Sequence, residues 1–139
     1  MSYYISEMKL KIPFHDLDPM NIVWHGNYIK YMEQARCDMF SKLNYTYDDM
    51  KDDLYVYPIA KMSTKFIKPA KFEQELVVKT ELVEIEPGLV IKYQIFDLQT
   101  NEKIFEAKTL QIAVNIKTKQ SIYNAPKRLI KILEAISDK

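Results

Sequence analysis

The sequence is poor in glycine, cysteine and long apolar runs, and each shortage excludes a class of protein. Its two glycines are Gly26 and Gly88, which excludes the glycine-rich phosphate loops of nucleotide-binding proteins. The single cysteine, Cys37, has no internal disulfide partner, and its helical surroundings predict a small buried side chain in a reducing, cytoplasmic setting. No stretch approaches the ~20 apolar residues of a membrane span, and we expect the first residues to be part of the fold and not a signal peptide.

Net charge and length further limit which partners and which domain organisation the chain can have. Lys and Arg total 20 against 19 Asp and Glu, and the net charge of +1 supports neither a nucleic-acid partner nor an anionic membrane surface. A chain of 139 residues without repeats, linkers or low-complexity tracts predicts one domain, residues 1–139, with a single sizeable core.

Hydrophobic periodicity predicts the order of the secondary structure. Alternation over 8–14 is typical of a strand with one buried face, and spacings of three and four over 27–43 predict a helix of about four turns. The predicted buried face of that first strand is Met8, Leu10, Ile12 and Phe14. Four further strands are predicted at 60–66, 76–85, 89–95 and 110–116. In the last of these, the apolar face is Leu110, Ile112, Val114 and Ile116.

Turn-forming residues separate these elements. The Asn- and Asp-rich stretch 44–58 predicts a loop or short turns, Pro87-Gly88 predicts a tight turn, and Pro126 predicts the start of a last helix. Strands joined by short connections favour an antiparallel sheet, and one long helix after the first strand must cover one of its faces. The chain is therefore predicted to be an α+β protein, without the alternating βαβ units of a dinucleotide-binding fold.

The densest group of reactive side chains lies in FHDLDPMNIVWHGNY, between the first strand and the long helix. Asp16 and Asp18 precede a helix start near His25, whose first N–H groups lack partners and carry about half a unit of positive charge. One interpretation is structural, with an acid capping the turn or Asn27 capping the helix. The functional interpretation is that a carboxylate attacks a carbonyl, or activates water to attack it, while helix N–H groups receive the oxyanion.

The histidines, His15 and His25, also have two interpretations. A histidine beside a loop is more often a hydrogen-bonded structural residue than a catalyst, and two histidines with two acids are weak evidence for zinc. Cys37 lies outside this group and no Ser-His-Asp spacing is present. Neither a metal site nor a catalytic triad is therefore predicted.

The same residues resemble the signature of hot-dog fold thioesterases, the acyl-CoA and 4-hydroxybenzoyl-CoA thioesterase-like family. That signature is an acid pair D-x-D, a V-[WYF]-H-x-N-Y segment and a helix bearing E-x-A-R. Its matches here are Asp16-Leu17-Asp18, Val23-Trp24-His25-Gly26-Asn27-Tyr28 and Glu33-Gln34-Ala35-Arg36. A second stretch, FIKPAKFEQEL, is similar to the family's aromatic-x-[RK]-P-A-x-x-x-D-x-L.

The resemblance implies a fold, an assembly and a reaction. The implied fold is a curved antiparallel sheet wrapped around one long central helix, with a short C-terminal helix. The implied assembly is a homodimer or homotetramer, because in the family two protomers pair so that their sheets continue and active sites form at the shared interface. The implied reaction is hydrolysis of an acyl-CoA to the free acid and CoA, without a cofactor, since CoA is part of the substrate.

The resemblance also assigns roles to individual residues. The catalytic acid corresponds to Asp18, as nucleophile or general base. His25 stands at the helix start whose N–H polarises the thioester carbonyl, and its imidazole is also implicated. Asp16 becomes a supporting or turn-shaping residue. The residues assigned to positioning the substrate are Asn27, Tyr28 and Glu33.

Other functions on the same scaffold remain open. An acyl-ACP thioesterase shares the reaction but takes a protein-bound acyl arm. A hydratase or dehydratase needs a histidine and an acid facing each other across the substrate, and here both lie on one connection, which argues against it. A non-catalytic acyl-thioester-binding protein is the third alternative, and retention of Asp18 and His25 argues against it.

The sequence also departs from the family pattern. Asn21 stands where many members have glycine, and asparagine tolerates positive φ more readily than most residues. Glu73-Gln74 replaces a common acid pair. The nearest basic cluster, Lys65, Lys68 and Lys71, suits CoA phosphates or equally a solvated strand face.

Overall fold

A computed structural model describes residues 2–137 and has the predicted α+β composition. The strands are β1 (Tyr4–Lys11), β2 (Tyr55–Val56), β3 (Ile59–Phe66), β4 (Glu75–Glu84), β5 (Leu89–Asp97), β6 (Lys103–Gln111), β7 (Ala113–Asn115) and β8 (Ser121–Ile122). The helices are α1 (His25–Lys42), α2 (Tyr47–Asp52) and α3 (Lys127–Ser137), with a 3-10 turn at Phe14–Asp16. No helix in this part of the chain is long and apolar enough to cross a membrane. The predicted domain's residues 1, 138 and 139 lie outside the described residues.

The main sheet is antiparallel, as predicted, with five strands in the order β1-β4-β5-β6-β3. Strands β4, β5 and β6 follow one another as hairpins. Strand β3 pairs with β6 and not with β4, its successor in the chain. The connection 67–74 therefore carries the chain from one edge of the sheet to the strand beside the opposite edge. A smaller sheet has the order β2-β7-β8.

Helix α1 covers one face of the main sheet, because the apolar stripe predicted for it is buried. The stripe residues, at most 3% exposed, are Tyr28, Met32, Ala35, Met39 and Leu43. Opposite them, Val78, Tyr93 and Phe105 point inward from the sheet and are fully buried. Burying one large apolar side chain contributes about 1.5–3 kcal/mol, so this layer is the main source of stability.

Arg36 places a charge inside this apolar layer. Its side chain is 6% exposed. Nε donates a hydrogen bond to the hydroxyl of Tyr47 at 2.7 Å, and Nη1 donates to that of Tyr93 at 3.1 Å. The Tyr93 hydroxyl is also bonded to Thr109 at 3.0 Å. The guanidinium is therefore held by tyrosine hydroxyls, which join α1 to the centre of the sheet.

Two predicted burials are wrong. Phe14 is 71% exposed, because β1 ends at Lys11 and the chain turns after Pro13, where a strand cannot continue its ladder. Cys37 is exposed. It lies two residues from Ala35, which turns it by about 200° to the opposite side of a helix with 3.6 residues per turn.

Two predicted segments also differ from the structure. The predicted strand 110–116 has the wrong bounds. Strand β6 spans Lys103–Gln111, so residues 103–109 were not predicted as strand, and after Gln111 the chain leaves the main sheet to form β7. At this junction Gln111 and Ala113 are buried while Leu110 is partly exposed, the reverse of the predicted face. The predicted loop 44–58 contains α2, which begins with a capping box formed by Thr46 and Asp49.

Asp16 joins the 3-10 turn to α1 through a buried carboxylate that is 3% exposed. The carboxylate accepts hydrogen bonds from the Tyr31 hydroxyl at 2.6 Å and from Lys30 Nζ at 2.9 Å. Burial favours the neutral acid, but the hydrogen bonds from Tyr31 and Lys30 outweigh it and hold the pKa of Asp16 below its ordinary value. Asp16 is therefore an ionised structural residue.

We expect Asp16→Asn to lower the free energy of unfolding at neutral pH by about 1–3 kcal/mol, because the buried donors lose a charged acceptor. The pKa of Asp16 is lower in the folded than in the unfolded chain, where it is near 3.9. The stabilisation is thus fully present above about pH 4 and is lost as the pH falls through the folded pKa. Urea unfolding of both proteins across this range measures it.

The same substitution two residues away, Asp18→Asn, is the control, because within residues 2–137 the Asp18 side chain is bonded only to a backbone N–H, that of Met20. We expect its stability to follow that of the wild type at each pH. A deficit in Asp16→Asn that stays constant through the acid range contradicts the role of the ionised carboxylate.

Candidate active site

A cavity of about 340 Å³ lies where the loop before α1, the first turn of α1 and the end of β3 meet. It is lined by Asp18, Ile22, Val23, His25, Tyr28, Phe66, Ile67, Lys68 and Pro69. A mostly apolar lining with a few converging polar groups is typical of a small-molecule site. A larger cavity of about 590 Å³ lies beside α3, but its lining includes no histidine, lysine or helix start.

Asp18 is held by the turn that it begins. Its backbone N–H donates to the Ile22 carbonyl at 2.8 Å, and its own carbonyl accepts from Asn21 N–H at 2.9 Å. Asn21 has a φ of 64°, so asparagine takes the left-handed conformation expected at this position. The Asp18 Oδ1 atom accepts from Met20 N–H at 2.8 Å, which fixes the carboxylate and leaves Oδ2 without a donor among the described residues. Asp18 is half-buried, and one oxygen of its carboxylate is thus available at the cavity.

The start of α1 presents unpaired N–H groups beside this acid. Trp24 N–H donates to the Asp16 carbonyl at 3.1 Å and Asn27 N–H to the Trp24 carbonyl at 2.9 Å. Between them, the N–H groups of His25 and Gly26 have no acceptor among the described residues. The first turn contains no acidic side chain, and Trp24 provides no side-chain cap. The partial positive charge of the helix terminus is therefore available to a ligand oxygen.

The Trp24 ring approaches Gly26 closely. A Cβ atom at this position would lie 2.1 Å from the ring. The indole also lies beside the His25 imidazole, with ring centroids 5.1 Å apart. Trp24 therefore packs over the first turn and closes one side of it.

The structure brings only some of the predicted positioning residues to the cavity. The Tyr28 ring lines it, and its hydroxyl accepts from Ala70 N–H at 3.0 Å, while burial raises its pKa. Asn27 lies outside the lining and donates from Nδ2 to the Asp16 carbonyl at 2.9 Å. Glu33 also lies outside and is 3.9 Å from Arg36 Nη2. In the single chain, Asn27 holds the loop and Glu33 faces solvent.

The other residues named from the sequence are less central. His15 is 80% exposed and its Nε2 is 3.5 Å from Asp16 Oδ1, so it lies on the outer side of the loop. Lys68 lines the cavity, and its ammonium group is paired with Glu102. Within residues 2–137, no three His, Cys, Asp or Glu side chains are grouped as metal ligands.

Sequence reasoning named Lys68 but missed the rest of the contribution of β3 and the segment after it. Phe66, Ile67, Lys68 and Pro69 form one side of the cavity. They belong to the second stretch that matches the family pattern, FIKPAKFEQEL, which was a usable signal. Sequence spacing did not indicate that this stretch lies against the start of α1, because a long-range contact between Val23 N–H and the Ala70 carbonyl, at 2.8 Å, brings them together.

Comparison with known proteins agrees with this architecture. The Thioesterase-like superfamily model matches residues 12–136. The acyl-CoA thioesterase YbgC of Helicobacter pylori is 30% identical over 87 residues, 63% of each chain. The alignment thus spans less than two thirds of that relative's length.

Solved structures show the fold. The DHNA-CoA thioesterase of Staphylococcus aureus superposes with a TM-score of 0.81 at 24% identity, covering 96% of this chain and 93% of that one. A 4-hydroxybenzoyl-CoA thioesterase variant bound to 4-hydroxybenzoyl-CoA has a TM-score of 0.80 at 18% identity, covering 93% and 98%. The helix-and-sheet arrangement described above is that of the hot-dog fold, and the chain belongs to the thioesterase-like superfamily.

Proposed function

We propose that the protein hydrolyses an acyl-CoA thioester to the free acid and CoA. The observation that carries this proposal is a single cavity that combines an available Asp18 oxygen with the free N–H groups at the start of α1. The names of relatives, including acyl-CoA thioesterase YbgC, support the same reaction class. CoA is part of the substrate, so no cofactor is required.

In the proposed mechanism, the thioester carbonyl oxygen lies against the N–H groups of His25 and Gly26. These fixed donors stabilise the negative charge that develops on this oxygen. Asp18 acts from the other side of the carbonyl. It either attacks the carbon to form a mixed anhydride, which water then hydrolyses, or removes a proton from the attacking water. In both routes the C–S bond breaks and the CoA thiolate leaves and is protonated.

Lys68 also lines the cavity, where it is paired with Glu102. It adds positive charge to the cavity wall. The cytoplasmic setting expected from the single cysteine stays a prediction.

We expect Asp18→Asn to lower kcat by about a hundredfold or more, because the amide neither attacks the carbonyl nor accepts a proton from water. Thiol release from a panel of acyl-CoAs, with short, long and aromatic acyl groups, measures this change. Asp52→Asn is the control, since Asp52 is exposed on α2, and it should retain wild-type turnover.

Circular dichroism of Asp18→Asn confirms that a loss of rate is not a loss of fold. Full turnover in Asp18→Asn removes the proposed mechanism. A folded wild-type protein that releases thiol from no acyl-CoA contradicts the proposed substrate and directs the test to acyl carrier protein.

Two substitutions at His25 separate its N–H group from its imidazole. His25→Pro removes both, and the helix start accepts it, because proline suits the first helical position and Trp24 already has the extended conformation required before proline. His25→Ala removes only the imidazole. We expect His25→Pro to lose about 100–1,000-fold in kcat and His25→Ala to lose less. Equal losses in both variants assign the whole effect to the imidazole and contradict the N–H role.

We also propose a homodimer formed through β3. This strand is the sheet edge nearest the cavity, and among the described residues its outer side has no strand partner. Apolar side chains at its end are exposed, with Phe66 at 50% and Ile67 at 41%. A long, exposed and partly apolar edge strand is a template for pairing with another chain.

We expect light scattering to give twice the mass of one chain, and Ile67→Lys to increase the monomer fraction by placing a charge at this edge. Lys9→Ala on β1, at the opposite sheet edge, is the control. A wild-type protein that stays monomeric at all concentrations contradicts this assembly.

A further inference from the structure

Phe66 stands between the cavity and the buried aromatic core. Its ring centroid is 6.3 Å from that of the His25 imidazole, 5.3 Å from that of Tyr28 and 5.2 Å from that of Phe105. All three contacts are edge-to-face, and Tyr28 and Phe105 stack on each other at 5.0 Å. Phe66 is therefore in contact with the reactive end of the cavity on one side and with the aromatic pair on the other.

The neighbours of Phe66 are fixed in place. Tyr28 is 3% exposed and its hydroxyl is bonded to Ala70 N–H, while Phe105 is fully buried opposite Phe66 on β6. In a close-packed interior neither ring has space to move aside. Phe66 is 50% exposed at the end of an edge strand. Its side chain can therefore be shortened at a lower cost to the core than either of theirs, and it forms this wall of the cavity together with Ile67, Lys68 and Pro69.

The volume of the cavity limits the size of the group that it can hold. A cavity of about 150 Å³ holds one benzene molecule, and this one has about 340 Å³ for the thioester and the acyl group together. A short chain or a single aromatic ring fits this space.

We propose that Phe66 is a specificity-determining residue that limits the size of the acyl group, so that short or single-ring acyl-CoAs are favoured over long-chain fatty acyl-CoAs. This assignment rests on the proposed thioester hydrolysis. The acyl group enters between the Asp18 loop and Tyr28, with its far end against the Phe66 ring. Shortening this side chain extends the apolar space toward Tyr28 and Phe105.

The test compares kcat/KM for butanoyl-, benzoyl- and decanoyl-CoA in the wild type and in Phe66→Ala. We expect the decanoyl-to-butanoyl ratio to rise about tenfold or more, the discrimination that one or two methylenes provide in an apolar pocket. The matched control is Phe72→Ala, because Phe72 is 48% exposed and packs edge-on against Phe14 outside the cavity. Its ratio should equal that of the wild type.

Either of two results overturns the assignment. In the first, Phe66→Ala changes kcat/KM for all three substrates by the same factor. In the second, Phe72→Ala shifts the decanoyl-to-butanoyl ratio as much as Phe66→Ala does. Phe66→Leu keeps most of the apolar bulk and is measured as well, in case the alanine variant does not fold. We expect Phe66→Leu to raise the decanoyl-to-butanoyl ratio of kcat/KM by a smaller factor than Phe66→Ala.

A failure of the proposed function is distinguishable from a failure of this assignment. If the folded wild type hydrolyses none of the thioesters, the reaction is wrong. Isothermal titration of butanoyl-CoA and decanoyl-CoA onto the same proteins then gives the ratio of Kd values without turnover. We expect Phe66→Ala to shift that ratio toward decanoyl-CoA by about tenfold, and an unchanged ratio overturns the role of Phe66.

Discussion

The geometry of the site depends on the hydrogen bonds made by Asp16. Its carboxylate is bound by Tyr31 and Lys30 on α1, and its main-chain carbonyl accepts from Trp24 N–H and from the Asn27 side chain. One residue therefore fixes the position of the loop 16–24 relative to α1 and the direction of the first turn of α1. Since Asp18 follows only two residues later, its position relative to the helix start is set by the same contacts. The ionised Asp16 is structural, and its effect on chemistry is indirect.

Helix α1 begins without the side-chain cap that most helices have. Ser, Thr, Asp or Asn usually caps the first N–H groups, and losing such a cap costs about 1 kcal/mol. Here Trp24 occupies the capping position without a capping side chain, and the first turn has no acid. Asn27 is a good capping residue by type, but its amide binds the Asp16 carbonyl instead. The uncapped helix start is an unfavourable local choice, and it fits the proposed role of these N–H groups as an oxyanion site.

The sequence predicted the layers of the fold because they depend on local periodicity. The stripe on α1 and the antiparallel pairing of β4 with β5 follow from spacing within single elements, whereas most of β6 was not predicted. Elements that depend on distant partners were less predictable. Gln111 and Ala113 face inward because the chain changes sheets at this point, which no alternation of apolar residues indicates. Asp18 and His25 lie on one connection and could be paired from the sequence, whereas Phe66 and Lys68 reach the same cavity only through the tertiary path of β3.

Because the cavity lies at the edge of the sheet, the proposed pairing through β3 would change the electrostatic environment of the cavity. In a single chain, the exposed half of Phe66 leaves one wall in contact with water. If β3 pairs with a second copy, that wall is covered and water is displaced from the side of the cavity facing the helix start. The attraction between the N–H groups of His25 and Gly26 and a developing oxyanion then increases, because charges interact more strongly where the effective dielectric is lower. The same covering holds the Phe66 ring in place. Pairing through this edge, if the proposed dimer forms, therefore favours both the rate and the acyl selectivity of the proposed reaction.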